Sequence, residues 1–249
     1  MSKNIFTFNK EKNDKTNSIF MENIENKYKE KTSQLIKSLV FTIPFTVSIL
    51  NSQMFNEIND LNLLRYQLNI QDITKNSSND LQKVFQVNNY VNSYKYKSDI
   101  DNYGEKEYYA SPLEMIKKEA GDCEDYAILK YNILVNEFGL DKNNFKFVFG
   151  TIGKNNEPHI LLSYNDNGKE YYLDNTIKDR ILESQNHKSF NKILDIKDNK
   201  IIFNNGEEKK ISSNHKYNKL LDLSLPIKFS ENLITYEKDK DLAMLDFER

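Results

Sequence analysis

The chain holds one cysteine in 249 residues, in the stretch "AGDCEDYAILKY", with Asp122 before it and Glu124 and Asp125 after it. A thiol attacks a carbonyl carbon as thiolate, and nearby carboxylates favour the neutral thiol, so these acids work against a nucleophile. Helix geometry works the other way. Gly121 closes a helix that starts at "SPLEMIKKEA" and lets the chain turn into a second, "DCEDYAILKYNILVNEF", which Gly139 ends. Asp122 then takes the N-cap, Asp125 makes a near-capping box, and Cys123 falls at the first helical position. There it meets the positive end of the helix dipole and unpaired N–H groups, both of which stabilise thiolate.

A base for its proton lies downstream, where "HILLSY" and "KEYYLDNT" read as antiparallel strands joined at "NDNG". If residues 165–168 form the loop, Tyr164 faces Lys169 and His159 stands directly opposite Asp174. If Asn167 and Gly168 alone form a two-residue turn, the pair is diagonal. Either register keeps imidazole and carboxylate on one sheet face, about 5–8 Å apart at Cβ. Should that face meet the helix start, Cys123, His159 and Asp174 become nucleophile, general base and orienting carboxylate for acyl transfer. The acids have two readings. As caps and dipole partners they contribute about 1 kcal/mol or less each, and spacing alone leans that way. As oxygen ligands, Asp122, Glu124 and Asp125 suit a hard cation such as calcium, whose charge would cancel their field at the sulfur.

The remaining sequence supplies the elements that must position these groups. From Gln53 to Tyr96 apolar positions recur at helical spacing, as in Leu81, Val84, Phe85, Asn88 and Val91, which predicts two or three helices. Ser111, Pro112 and Glu114 mark the start of the helix before the cysteine. After Gly139 the period changes to two in "NFKFVFGTIG", and "KILDIKDNKIIFNNGEEKKIS" adds another ladder or two. Helices followed by antiparallel strands define an α+β class. Balanced charge, 35 Lys and Arg against 37 Asp and Glu, leaves no basic stripe for nucleic acid. The lone cysteine excludes an intramolecular disulfide, and no paired cysteines or H-x-x-x-H run offers zinc ligands. Glu114 and Lys130 read as surface or structural, although Lys130 lies on nearly the same helix face as Cys123; His187 and His215 read as solvated.

The division expected is a polar extension with an export segment over 1–52, a catalytic domain over 53–215 and a C-terminal extension over 216–249. The uncharged run from Leu39 to Leu50 falls short of the about 20 residues that span a bilayer but suits a signal-peptide core, placing the signal at about 37–52. The polar stretch ahead of it is long for a signal, and translation from Met21 would shorten it. The alternative is a cytoplasmic protein in which the run is buried.

"YYASPLEMIKKEAGDCEDYAILKYNIL", "EPHILLSY" and "YYLDNT" together resemble the bacterial transglutaminase-like cysteine proteinases, the LapG-type periplasmic proteases. The likeness covers roughly residues 80–185, and a G-D-C-E-D motif with His and Asp following in order is specific. The resemblance implies a papain-like, transglutaminase-like fold, a helical lobe carrying the nucleophile at a helix N-terminus packed on an antiparallel sheet. It implies Cys123 as nucleophile, His159 as base and Asp174 as its orienter, with calcium held by Asp122 and Glu124 and by Asp125 beside them. It also implies a monomer in the periplasm that cleaves a large RTX-type surface adhesin, controls attachment and biofilm, and answers to an inner-membrane cyclic-di-GMP receptor. The chain departs from the family pattern in having no Trp, with Tyr109 ahead of the P-x-E segment and Ile160 after the histidine. Two rival functions are transglutaminase or deamidase chemistry on the same three residues, and a non-catalytic, calcium-responsive binding module.

Overall fold

The computed structural model describes residues 46–212, 215 and 217–224, with side chains from residue 61 onward. The polar extension, most of the apolar run and the charged C-terminal stretch lie outside the described residues. The chain falls into two units that divide between Phe55 and Asn56, within the first helix, and the second carries the sheet and the site. No helix among the described residues is long and apolar enough to cross a membrane.

Helix α1 (Thr46–Asn76) is followed by α2 (Asp80–Val91), whose N-cap Asn79 accepts from the Gln82 N–H. Of the positions that the helical spacing picks out, Val84, Asn88 and Val91 are buried, joined by Val87, while Leu81 and Phe85 are half-buried. A two-residue strand β1 (Lys95–Tyr96) and a short helix α3 (Asp99–Tyr103) lead to α4 (Pro112–Lys118). The α4 start is a full capping box: Ser111 accepts from the Glu114 N–H, and Glu114 reaches back to the Ser111 N–H at 2.8 Å. Strand β2 (Ala120–Gly121) pairs in parallel with β1 and delivers the chain into α5 (Cys123–Tyr131), which continues as a π-helical turn over Asn132–Glu137. Every side chain of α5 from Asp125 to Lys130 is buried.

The second half is an antiparallel sheet of seven strands in the order β6-β5-β4-β3-β7-β8-β9. These are β3 (Phe145–Ile152), β4 (Glu157–Asp166), β5 (Lys169–Leu173), β6 (Leu182–Glu183), β7 (Phe190–Lys197), β8 (Lys200–Phe203) and β9 (Glu208–Lys210). Helix α6 (Asn218–Leu223) ends the described chain. Leu162, Tyr164 and Leu173 face the helices and join Ile128, Leu129 and Ile133 in one core. Val148, Leu161, Tyr172 and Phe190 form a second, smaller core on the other sheet face.

The hairpin between β4 and β5 has the two-residue turn, not the four-residue loop. Asp166 pairs with Lys169, while Asn167 (φ 51°) and Gly168 (φ 88°) both take the left-handed conformation that a type I′ turn needs. His159 and Asp174 are therefore diagonal. In the neighbouring pair Gly150 stands opposite His159, where a Cβ would collide with the Asn191 carbonyl and the Phe190 ring. The absent side chain is what lets Phe190 lie against His159.

Candidate active site

Cys123 is the first residue of α5 and is half-buried. Its Sγ donates to Glu124 Oε2 at 3.1 Å. Burial and the charges of Glu124 and Asp122 push the thiol pKa up, and the Ile160 N–H, pointing at the sulfur, opposes them. Ile160 directly follows His159 on β4, so the helix start meets the backbone of the histidine strand, while the His159 ring itself lies on the sheet face of Leu161, Tyr172 and Phe190, opposite the face that packs on the helices.

His159 and Asp174 are both buried, with His159 Nε2 2.9 Å from Asp174 Oδ1. The same oxygen accepts the Thr176 N–H at 2.8 Å, and Asp174 Oδ2 lies 2.7 Å from His187 Nε2. These donors hold the Asp174 carboxyl far below the usual carboxylate range despite its burial. The backbone is pinned as well. Asn92, at the end of α2, donates to the Asp174 carbonyl at 2.8 Å and to that of Ile177 at 3.1 Å. Of the surface and structural readings of Lys130 the structural one stands: it is wholly buried, donates to the Leu173 carbonyl at 3.2 Å, and has its pKa pulled down to about 7 by burial, with Asp174 pulling the other way. His187 is likewise not solvated but buried against Asp174, between the Tyr172 and Phe190 rings.

The acids form two overlapping groups. Asp122, Cys123 and Glu124 offer ligand atoms within 4.8 Å of one another, and so do Asp99, Asp122 and Asp125. Asp125 places Oδ1 on the Ala110 N–H (2.8 Å) and Oδ2 on the Asp122 N–H (3.4 Å). Asp122 Oδ1 and Asp99 Oδ1 are buried and have no partner among the described residues. Burial, then the neighbouring carboxylates, pushes Asp122 up to about 10; burial raises Asp125 to about 7 against its backbone donors. Buried oxygens left unpaired in a cluster of hard donors are what a divalent cation requires, so the residues fit calcium. Asp99, at the start of α3, was missed by sequence reasoning, and its only signal is the "DID" ahead of Gly104. Gly121 matters here too, because a Cβ on it would lie 2.7 Å from Asp125 Oδ2.

Two tyrosines flank the thiol. Tyr96, largely exposed, has its pKa pushed up to about 12 by partial burial and by the charges of Cys123, Asp122 and Glu124. Tyr109 is raised by burial and by Glu124.

A cysteine at a helix start, set against a sheet that carries a histidine–aspartate pair, defines the transglutaminase-like class of cysteine proteinases. Residues 65–201, more than half of the chain, match the family described as bacterial transglutaminase-like cysteine proteinase BTLCP. The chain belongs to that family. Among solved structures it is similar to Legionella pneumophila LapG treated with EGTA, at 20% identity and a TM-score of 0.53, covering 68% of this chain and 97% of that one. A further Legionella pneumophila LapG structure gives a TM-score of 0.52 at 20% identity and the same coverage of 68% and 97%. A calcium-bound form of that protein is matched at 21% identity over 61% of this chain and 96% of that one, with a TM-score of 0.47. No curated protein sequence matches the chain.

Proposed function

We propose that this protein is a calcium-dependent endopeptidase of the periplasm that cuts a large surface adhesin with Cys123, His159 and Asp174. The observation that carries the chemistry is the buried His159–Asp174 hydrogen bond of 2.9 Å on the strand whose next N–H points at the Cys123 sulfur. With Nε2 of His159 committed to Asp174, Nδ1 is the nitrogen left to take the thiol proton. The sulfur then bonds to the carbonyl carbon of the scissile peptide, and the Cys123 N–H at the helix start faces the oxyanion. His159 passes the proton to the leaving amine as the C–N bond breaks. Water, losing a proton to His159, releases the acyl group as a carboxylic acid and restores the thiol.

Asp99, Asp122 and Asp125 would hold calcium, with Glu124 beside them. Bound there, the ion supplies positive charge that offsets the field of the acids at the sulfur. The adhesin substrate, export to the periplasm and restraint by an inner-membrane cyclic-di-GMP receptor are supported by the family resemblance. The test incubates purified protein with surface proteins of the same cells, with and without EGTA, beside Cys123→Ala. Cleavage lost in the variant and in EGTA is expected. Cleavage that persists in Cys123→Ala overturns the reading, and incorporation of a labelled amine in place of hydrolysis would assign transferase chemistry instead.

A further inference from the structure

Asp174 is shared by two histidines. His187 reaches it from the turn Ser184–Asn186 between β6 and β7, and the Phe190 ring stands edge-on to both imidazoles, with centroids 6.1 Å from His159 and 5.7 Å from His187. An ionised carboxylate only accepts hydrogen bonds, so His187 donates from Nε2 across their 2.7 Å contact, which leaves Nδ1 as the other ring nitrogen. That Nδ1 is buried, and among the described residues it has no partner, so the Nε2 donation is the ring's polar anchor there, with Tyr172 and Phe190 walling the rest. A carboxylate held through one oxygen can still rotate about its Cβ–Cγ bond and swing its imidazole partner with it. Donors on both oxygens fix the plane.

We infer that His187 is a positioning residue, which locks the Asp174 carboxylate and through it the His159 ring in the orientation that exchanges a proton with Cys123. The inference rests on the endopeptidase reading above. It assigns His187 a role in the site that the Cys-His-Asp set leaves out.

Because the chain has a single cysteine, iodoacetamide labelling followed by mass spectrometry reads Cys123 alone. Wild type, His187→Leu, His187→Gln and His159→Ala are compared in buffer containing calcium chloride. His187→Leu should slow labelling about tenfold or more, since it removes a hydrogen bond to a charged group. His187→Gln, whose amide N–H can replace Nε2–H, should stay within about threefold of wild type. A residue that only supports the fold would instead lower the thermal midpoint in both variants without separating their labelling rates. Wild-type rates in His187→Leu, with a slow His159→Ala, overturn the inference and leave the endopeptidase reading standing. Wild-type rates in His159→Ala as well overturn both. Should His187→Leu fail to fold, 15N spectra of histidine-labelled wild type decide: the Nε2–H tautomer is expected at His187, and an Nδ1–H tautomer refutes the inference.

Discussion

Lys130 offers the sharpest test of the electrostatics behind the site. Its ammonium is fully buried, donates to the Leu173 carbonyl, and has a pKa lowered from 10.5 to about 7. Between those two values the unfolded chain holds a proton that the folded protein has released, so the unfolded state binds more protons and stability rises with pH. From pH 7 to pH 9.5 the gain is about 3 kcal/mol, at about 1.4 kcal/mol per pH unit. Lys130→Met keeps an unbranched chain of similar bulk and removes the titration. Urea unfolding of both proteins at half-unit intervals measures the effect, and tyrosines that ionise near the top of the range cancel in the comparison. Wild type should gain about 3 kcal/mol on the variant across the window. Parallel curves would show that Asp174 keeps the ammonium charged inside the protein, and the account of a burial-dominated lysine would be wrong.

Gly150→Ala forces a Cβ into the Phe190 ring and the Asn191 carbonyl; it should cost about 1–3 kcal/mol by thermal unfolding and slow Cys123 labelling as Phe190 moves off His159. Asp99→Asn removes one charge from the group with Asp122 and Asp125, so calcium affinity measured by titration calorimetry should fall about tenfold or more. Asp174 is depressed by its histidine donors, so its share of stability is fully present above about pH 4 and is lost as pH falls below that. The stability gap between wild type and Asp174→Asn should therefore shrink in acid, and a gap that is constant down to pH 2 would contradict the assignment.

What the sequence made legible were features decided within a few residues. Ser111-Pro112-Leu113-Glu114 contains its own capping box, and Gly121-Asp122-Cys123 contains the turn that starts α5. The shared face of His159 and Asp174 also follows from parity alone. The register does not, because it depends on Asn167 and Gly168 both taking positive φ, and the "NDNG" run permits either turn. His187 was misread because exposure was inferred from polar neighbours in sequence, and Lys130 was left between a surface and a structural reading because a lysine is rarely buried. On α5 strands pack on one side and helices on the other, leaving no solvated face from Asp125 to Lys130. At His187 burial comes from Tyr172 and Phe190, on strands that the chain enters and leaves on either side of the turn. Asp99 was missed because the parallel pairing of β1 with β2 sets the segment after Tyr96 beside the one after Gly121, a contact without local signature.

The acids around Cys123 separate the capping account from the cation account. Asp122 and Asp125 form the capping box at the start of α5, yet the Oδ1 of Asp122 is buried and has no partner among the described residues. Asp125 has both oxygens taken, by the Ala110 and Asp122 N–H groups. Capping therefore accounts for Asp125 in full and for Asp122 in part, and it leaves one buried oxygen of Asp122 over. Asp122 and Asp125, with Asp99, bring carboxyl oxygens within 4.8 Å, a spacing at which mutual repulsion resists ionisation of all three unless a positive charge lies between them. The same repulsion reaches the sulfur, whose hydrogen is held by Glu124. One cation would satisfy the unpartnered oxygens and relieve the thiol together, so Asp122→Asn should weaken calcium binding and slow Cys123 labelling in parallel. A variant that lost affinity while its labelling rate stayed at the wild-type value would break the link between the two.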